Sequence, residues 1–246
     1  LKALKQGYPS SNEVEAYCTM YGNVDLTTAS STGDHDHTSG ATYEITLKRT
    51  LAMITVGINA TEMRKGVIIR PTGISLKNVP KSCWITKDNA PTSGDINPEG
   101  PEYQSLNWDA LATHEGAFAT STPANPHSAN DGVIPLFMFE NKQGKMETAN
   151  TDQTAKEPPT GKKDLCTYIE VFADYEYRKE LDTDNSSPKP SNIPTVLSGT
   201  ITYRLYLGED VESDFNVIRN KHYQLTLNLK DWAGLKEDGK IIDGNI

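Results

Sequence analysis

Apolar and polar residues alternate with a period of two in three segments towards the C-terminal end of the chain. Tyr168 to Tyr177 sets Ile169, Val171, Ala173, Tyr175 and Tyr177 against Tyr168, Glu170, Phe172, Asp174 and Glu176. Thr200 to Leu207 sets Ile201, Tyr203, Leu205 and Leu207 against Thr200, Thr202, Arg204 and Tyr206. His222 to Leu229 is the cleanest, with Tyr223, Leu225, Leu227 and Leu229 opposed by His222, Gln224, Thr226 and Asn228. Successive side chains leave a strand on opposite sides, so this period predicts three half-buried strands with one wet face. A helix needs apolar residues at three- and four-residue steps, and these segments lack them.

Upstream the pattern is less regular. Tyr43 to Asn59 is strand-like, but Tyr43, Ile45 and Leu47 are apolar at odd positions and Ala52, Ile54, Val56 and Ile58 at even ones. A slip of one throws every side chain to the wrong face, so a β-bulge or break is expected near Lys48-Arg49-Thr50. Val67-Ile68-Ile69 and Ile74 to Val79 read as two short strands, broken at Pro71 and Pro80. Val133 to Asn141 has strand composition, and Val14 to Met20 is the best element of an otherwise irregular stretch over residues 1–40.

Between these elements lie long polar connections. Residues 86–132 are rich in Pro, Gly, Asn, Ser and Thr; Tyr103, Leu106, Trp108 and Leu111 would cover one side of a short helix, and otherwise the stretch is a decorated loop. Lys142 to Lys163 is a hydrophilic connector. Arg178 to Val196 carries Pro188, Pro190 and Pro194 and is expected to be exposed. There is no internal repeat. The expected fold class is therefore all-β, with strands separated by long loop insertions.

Composition narrows the function classes. The 246 residues suit one large all-β domain or two small ones. A net charge of −9 argues against a nucleic-acid backbone or an anionic membrane surface as partner. No run approaches the roughly 20 apolar residues of a membrane helix. The start, Leu1-Lys2-Ala3-Leu4-Lys5-Gln6-Gly7, is not patterned as a signal peptide, so a trimmed or mature piece is expected. The three cysteines, Cys18, Cys83 and Cys166, form no C-x-x-C pair and read as structural thiols, with a disulfide as the alternative.

Candidate chemistry is sparse. His35-Asp36-His37 puts two histidines on one face of an extended chain, but it lies in a polar run that reads as a solvated loop. Asp182-Thr183-Asp184-Asn185-Ser186 opens like a calcium loop, yet Ser187 and Ile193 stand where its glycine and distal glutamate belong. Glu209 to Asp214 is acidic and reads as a solvated turn. Glu170, Asp174 and Glu176 share a strand face and offer paired carboxylates, for which a wet sheet face is the simpler account. Asn59-Ala60-Thr61 and Asn185-Ser186-Ser187 match the glycosylation pattern, which matters only in a eukaryotic secretory setting. No nucleophile elbow, phosphate loop, dinucleotide fingerprint or H-E-x-x-H is present, so no catalytic, cofactor-binding or metal-binding residue is assigned and no enzyme is expected.

The order of several fragments carries more. Leu47-Lys48-Arg49-Thr50-Leu51-Ala52-Met53-Ile54-Thr55-Val56 resembles the L-x-R-x-x-A-x-I-x-V strand of fimbrillin-type (type V) pilins of Bacteroides-like Gram-negative bacteria. Met20-Tyr21-Gly22 lies upstream, where that family often carries Met-x-Gly. Leu136 to Gly144 is similar to its aromatic strand ending in Glu-Asn-x-x-Gly. The closing run, Tyr168-Ile169-Glu170-Val171, then Tyr203 to Gly208, then Asp214 to Tyr223, is similar to its Y-I-E-V, Y-R-x-Y-L-G and D-F-x-V-x-R-N-x-x-Y.

The resemblance implies a transthyretin-like antiparallel β-sandwich with long loop insertions over residues 41–246, with residues 1–40 as the tail of a preceding domain or an irregular segment. It implies a structural or adhesive subunit of a fimbrium, exported as a lipoprotein precursor to the outer membrane and cell surface. Such subunits join by β-strand donation, so the implied partners are other pilin subunits. The rival expectation is a surface carbohydrate-binding module that uses exposed aromatics such as Trp84, Tyr103 and Trp108.

Overall fold

The computed structural model describes residues 19–22, 45–100, 135–146, 156–183 and 194–234, together with the backbone of strands at 5–7, 101–104, 112–113 and 244–245. In chain order the strands are β1 (Lys5–Gly7), β2 (Met20–Tyr21), β3 (Lys48–Arg49), β4 (Leu51–Met63), β5 (Val67–Pro80), β6 (Ser82–Trp84), β7 (Ile96–Gln104) and β8 (Ala112–Thr113). They continue as β9 (Leu136–Phe139), β10 (Asn141–Lys145), β11 (Tyr168–Arg178), β12 (Val196–Tyr206), β13 (Asp214–Val217), β14 (His222–Asp231) and β15 (Gly244–Asn245).

The protein is an all-β sandwich. The larger sheet runs β15-β12-β11-β5-β7, with β8 beside β5; the smaller runs β14-β4-β9. Their inner faces meet in one cluster: Ile54, Val56, Ile58, Leu136, Met138, Leu227 and Leu229 from the smaller sheet, Ile69, Ile74, Leu76, Val171, Tyr175, Ile201 and Tyr203 from the larger. Three short ribbons, β1–β6, β2–β3 and β10–β13, flank the two layers.

The three alternating segments are strands, and their apolar faces point inward. In β11 the residues Ile169, Val171, Ala173, Tyr175 and Tyr177 are all buried. Its other face is half-buried rather than wet, because β11 is central and long side chains from β5 and β12 lie across it. In β14 His222, Gln224, Thr226 and Asn228 are exposed while Tyr223, Leu227 and Leu229 are buried.

The phase slip near Arg49 is a break: β3 ends at Arg49, Thr50 bends, and β4 begins at Leu51. Ile45 and Leu47, ahead of the break, are exposed, and Tyr43 lies outside the described residues. A second slip had a different outcome. Val67 and Ile69 are inward at odd positions and Ile74 and Leu76 at even ones, yet β5 is one strand, not two. The register to β11 shifts between Phe172 and Ala173, which face Gly73 and Pro71, so Thr72 is the extra residue of a bulge. On the other side β7 covers β5 from Gly73 onward and β8 covers only Ile68 and Ile69. Pro71 thus sits where the ladder is already interrupted, and its missing N–H forfeits little.

Three further expectations change. The antiparallel sandwich contains parallel pairs: β14 runs parallel to β4, and β15 to β12. More than 150 residues separate β4 from β14, ample for the crossover that a parallel pair requires. Residues 96–104, read as loop or helix, form the edge strand β7, where Pro98 and Pro101 are tolerated. Asp182, in the supposedly exposed connector, is buried. Leu106, Trp108, Leu111, the His35-Asp36-His37 triplet, Asn185-Ser186-Ser187, Cys18 and most of Val14 to Met20 lie outside the described residues.

Asp182 Oδ2 accepts from Arg64 Nε at 2.9 Å and from the Tyr177 hydroxyl at 2.7 Å, with both charged side chains essentially sealed from water. Removing the carboxylate deprives the sealed Arg64 guanidinium of its 2.9 Å ion pair, so Asp182→Ala is expected to cost about 3–5 kcal/mol. A loss under about 1 kcal/mol in denaturant titration would mean that water reaches Arg64. Leu227→Ala is expected to cost about 2–5 kcal/mol, against under about 0.5 for exposed Thr226→Ala; equal losses would place both faces of β14 under cover.

Candidate functional site

The fragments that stand in order along the sequence come together in space, and they do so as a framework. Glu140, between β9 and β10, is held by Arg219, whose Nη2 and Nε lie 2.8 and 3.2 Å from Oε2. The same oxygen accepts the backbone N–H of Asn89 at 2.9 Å. Arg219 also donates to the carbonyls of Ile85 and Lys87, both at 3.0 Å, which pins the segment after β6. Asn220 adopts φ +61°, gives its N–H to the Leu51 carbonyl and accepts the Arg49 N–H, so it ties down the β3–β4 break. Asn141 donates to the Leu165 carbonyl and the Thr167 hydroxyl.

The acidic turn is also structural. Asp210 Oδ1 accepts the N–H groups of Glu212, Ser213 and Asp214. Asp214, with no exposed surface, accepts those of Glu209 and Asn216. Burial works against ionising both carboxyls, but these hydrogen bonds outweigh it and hold them below the usual range. Gly208 is required here, because a Cβ would fall inside the Asp214 carbonyl. Beneath the turn lies Lys156, fully buried, its Nζ 2.9 Å from the Asp210 carbonyl and 4.9 Å from the Phe215 ring centroid. Nothing in the polar character of residues 142–163 marked Lys156 as a core residue.

The other candidates are placed as follows. Glu170 pairs with Arg204 at 2.8 Å and Lys77 at 3.7 Å, and Glu176 with Arg178. Asp182 serves Arg64, so the oxygen that would open a calcium loop is taken. Among the described residues no cluster of three or more His, Cys, Asp or Glu side chains is arranged to hold a metal ion. Cys83 and Cys166 are buried free thiols; burial pushes the first up to about 11 and the second up to about 12. Trp84 is half-buried, with Lys87 Nζ 4.1 Å from its ring centroid, and Tyr103 lies on β7. Asn59 is engaged with Asn228. No helix among the described residues is long and apolar enough to cross a membrane.

One backbone feature remains open. β4 pairs with β14 on one side over nearly its whole length, but with β9 on the other only from Leu51 to Ile54. Pro135 precedes β9 and cannot donate, so the ladder ends there. Met53 gives its N–H to the Lys221 carbonyl on the β14 side, so alternation turns the backbone groups of Val56 and Ile58 the other way. Among the described residues no strand meets them, although β8 passes nearby. The side chains of Val56 and Ile58 are already in the core. Among the described residues, β4 beyond Ile54 thus has no strand paired to it on this side.

Residues 136–227, β9 through most of β14, match the model of a family described as a domain of unknown function, DUF4906. The match contains Glu140, Asn141, Arg219 and Asn220. No curated protein matches the chain. Two solved structures are similar, each named as a "putative cell adhesion protein". One, from Parabacteroides distasonis ATCC 8503, is 14% identical, with 75% of this chain and 45% of that chain covered and a TM-score of 0.38. The other, from Bacteroides eggerthii DSM 20697, is 12% identical, with coverages of 81% and 51% and a TM-score of 0.35. The chain spans about half the length of these structures.

Lys156 yields a pH prediction. Burial pushes its ammonium down to about 8, against the pull of Asp210 and Asp214, while the unfolded chain titrates near 10.5. Between these values the unfolded chain holds a proton that the folded one has lost, so this group makes stability rise with pH. Lys156→Met removes that rise. Its stability relative to the unmodified chain is expected to be highest below pH 8 and to fall steadily towards pH 10.5. A pH-independent difference in chemical denaturation would show that Lys156 titrates normally.

Proposed function

We propose that the chain is part of a cell-surface adhesion-type protein, a structural or adhesive fimbrial subunit that joins its neighbours by strand donation. The stretch of β4 beyond Ile54, which no described strand pairs on the side away from β14, carries this reading. An extended segment laid there satisfies the outward N–H and C=O groups of Val56 and Ile58 and extends the sheet over an existing core, gaining backbone hydrogen bonds at little structural cost. The ordered pilin-like fragments, and the naming of the two similar structures as adhesion proteins, agree with an exported, outer-membrane location. The partners in this reading are other subunits of the same kind, and no catalysis is required of the chain.

Amide hydrogen exchange tests the reading at the residues concerned. In the isolated chain the N–H groups of Val56 and Ile58 are expected to exchange far faster than those of Thr55, Gly57 and Asn59, which face β14. On assembly into polymer the two are expected to become protected while the other three change little. Equal protection of all five in the isolated chain would show this side of β4 to be paired already. Polymer in which Val56 and Ile58 stay fast would place the joint elsewhere.

A further inference from the structure

The outer face of the larger sheet, turned away from β4, holds a trough of about 360 Å³. It is lined by Ile68 and Arg70 of β5, Asp174 and Glu176 of β11, and Ser198 and Thr200 of β12. Register sets them in two rows across three strands: Arg70, Asp174 and Thr200 in one, Ile68, Glu176 and Ser198 in the other. Arg70, Ser198 and Thr200 are exposed, and Asp174 is half-buried.

The other charged side chains of these three strands on this face are committed to one another. Lys77 is bound to Glu99 and Glu170, Arg204 to Glu170, and Arg178 to Glu176. Arg70 and Asp174 are different. They are cross-strand neighbours of opposite charge, an arrangement that ordinarily pairs, yet neither makes an ion pair or a side-chain hydrogen bond among the described residues. The hydroxyls of Ser198 and Thr200 are equally unengaged. The backbone beneath is used up, since β11 is bonded to β5 on one side and β12 on the other throughout this stretch. No peptide strand can be added over β11, and a ligand lying across it must be read by side chains.

The geometry points to a binding site for a neutral saccharide. A guanidinium offers a fork of donors, a carboxylate accepts from neighbouring hydroxyls, and Ser and Thr do either, which matches the paired donor and acceptor character of sugar hydroxyls. Ile68 adds an apolar patch for a C–H face of the ring. A polyanion would meet Asp174, Glu176 and a chain of net charge −9, and a polycation would meet Arg70. The ligand class is that expected of the rival carbohydrate-binding module, but the residues are different ones. The trough lies on a face that strand donation at β4 leaves uncovered, so failure of either proposal leaves the other standing.

An array of neutral, sialylated and sulfated oligosaccharides, probed with the full chain, identifies the best neutral binder, which is then titrated against the isotope-labelled chain by NMR. Binding to a neutral oligosaccharide is expected, with shifts centred on Arg70, Asp174 and Thr200. Arg70→Ala and Asp174→Ala are each expected to weaken it by about tenfold or more, or about 1.4 kcal/mol, at unchanged Tm. Lys77→Ala, on the same face beyond the trough, is expected to bind as the unmodified chain does. If an alanine variant loses stability, Arg70→Gln or Asp174→Asn takes its place with the same expectation. Recognition of sulfated glycans alone, no neutral binding at millimolar concentration, or binding that survives both substitutions overturns the site.

Discussion

The buried pair of Arg64 and Asp182 is the constraint from which one end of the sandwich is built. Arg64 follows β4 of the smaller sheet and Asp182 follows β11 of the larger, so their contact at 2.9 Å joins the two layers directly. The Tyr177 hydroxyl also donates to this carboxylate, and the Arg64 guanidinium lies 4.5 Å from the ring centroid of Trp232, just beyond β14. Apolar burial holds the sheets face to face but is indifferent to small slides. Two charges out of water are not indifferent, because each is tolerable only while the other is in place. The backbone enforces the same junction: Gly66, at φ +90°, packs so closely that a Cβ would meet the Arg178 carbonyl.

The opposite end is held by hydrogen bonds of a similar kind. Glu140 and Arg219 draw together the β9–β10 junction, the segment after β6 and the approach to β14, while Asn220 fixes the break before β4. Residues that suggest chemistry when read in isolation are therefore spent on architecture. Asp210 and Asp214 of the turn at 209–214 accept backbone amides, Glu170 faces cations, and the thiols of Cys83 and Cys166 are buried, which disfavours their ionisation. Among the described residues, the groups that this framework leaves unused include the outward backbone of Val56 and Ile58 and the side chains of Arg70, Asp174, Ser198 and Thr200.

These two features fall on different parts of the sandwich, an edge and a face. A subunit that adds a neighbour at an edge gains backbone hydrogen bonds without regard to sequence, and its specificity then rests on what fills the adjoining pockets. A face whose backbone is fully paired can act only through its side chains. In the proposed reading the two tasks do not compete, because a strand laid beside β4 does not cover β11.

Alternation determined these strands from the sequence alone, since a period of two has one structural solution when one face is buried: β11 and β14 follow the residue pattern side chain by side chain. The phase slip at Arg49 was equally legible, because apolar residues cannot change faces without a break or bulge. The same reasoning applied to Pro71 shows that apolar residues change faces there, but a slip in phase does not say whether the chain breaks or only bends. That answer came from β11, whose register shifts beside it. The pairing of β14 with β4 was beyond local pattern, as parallel and antiparallel neighbours bury the same face. So were Lys156, Asp182 and Arg64, polar residues in polar stretches that become core only because distant segments supply their partners. The partly paired side of β4, as the described residues show it, and the trough across β5, β11 and β12 are likewise properties of neighbouring strands, which no single segment of sequence contains.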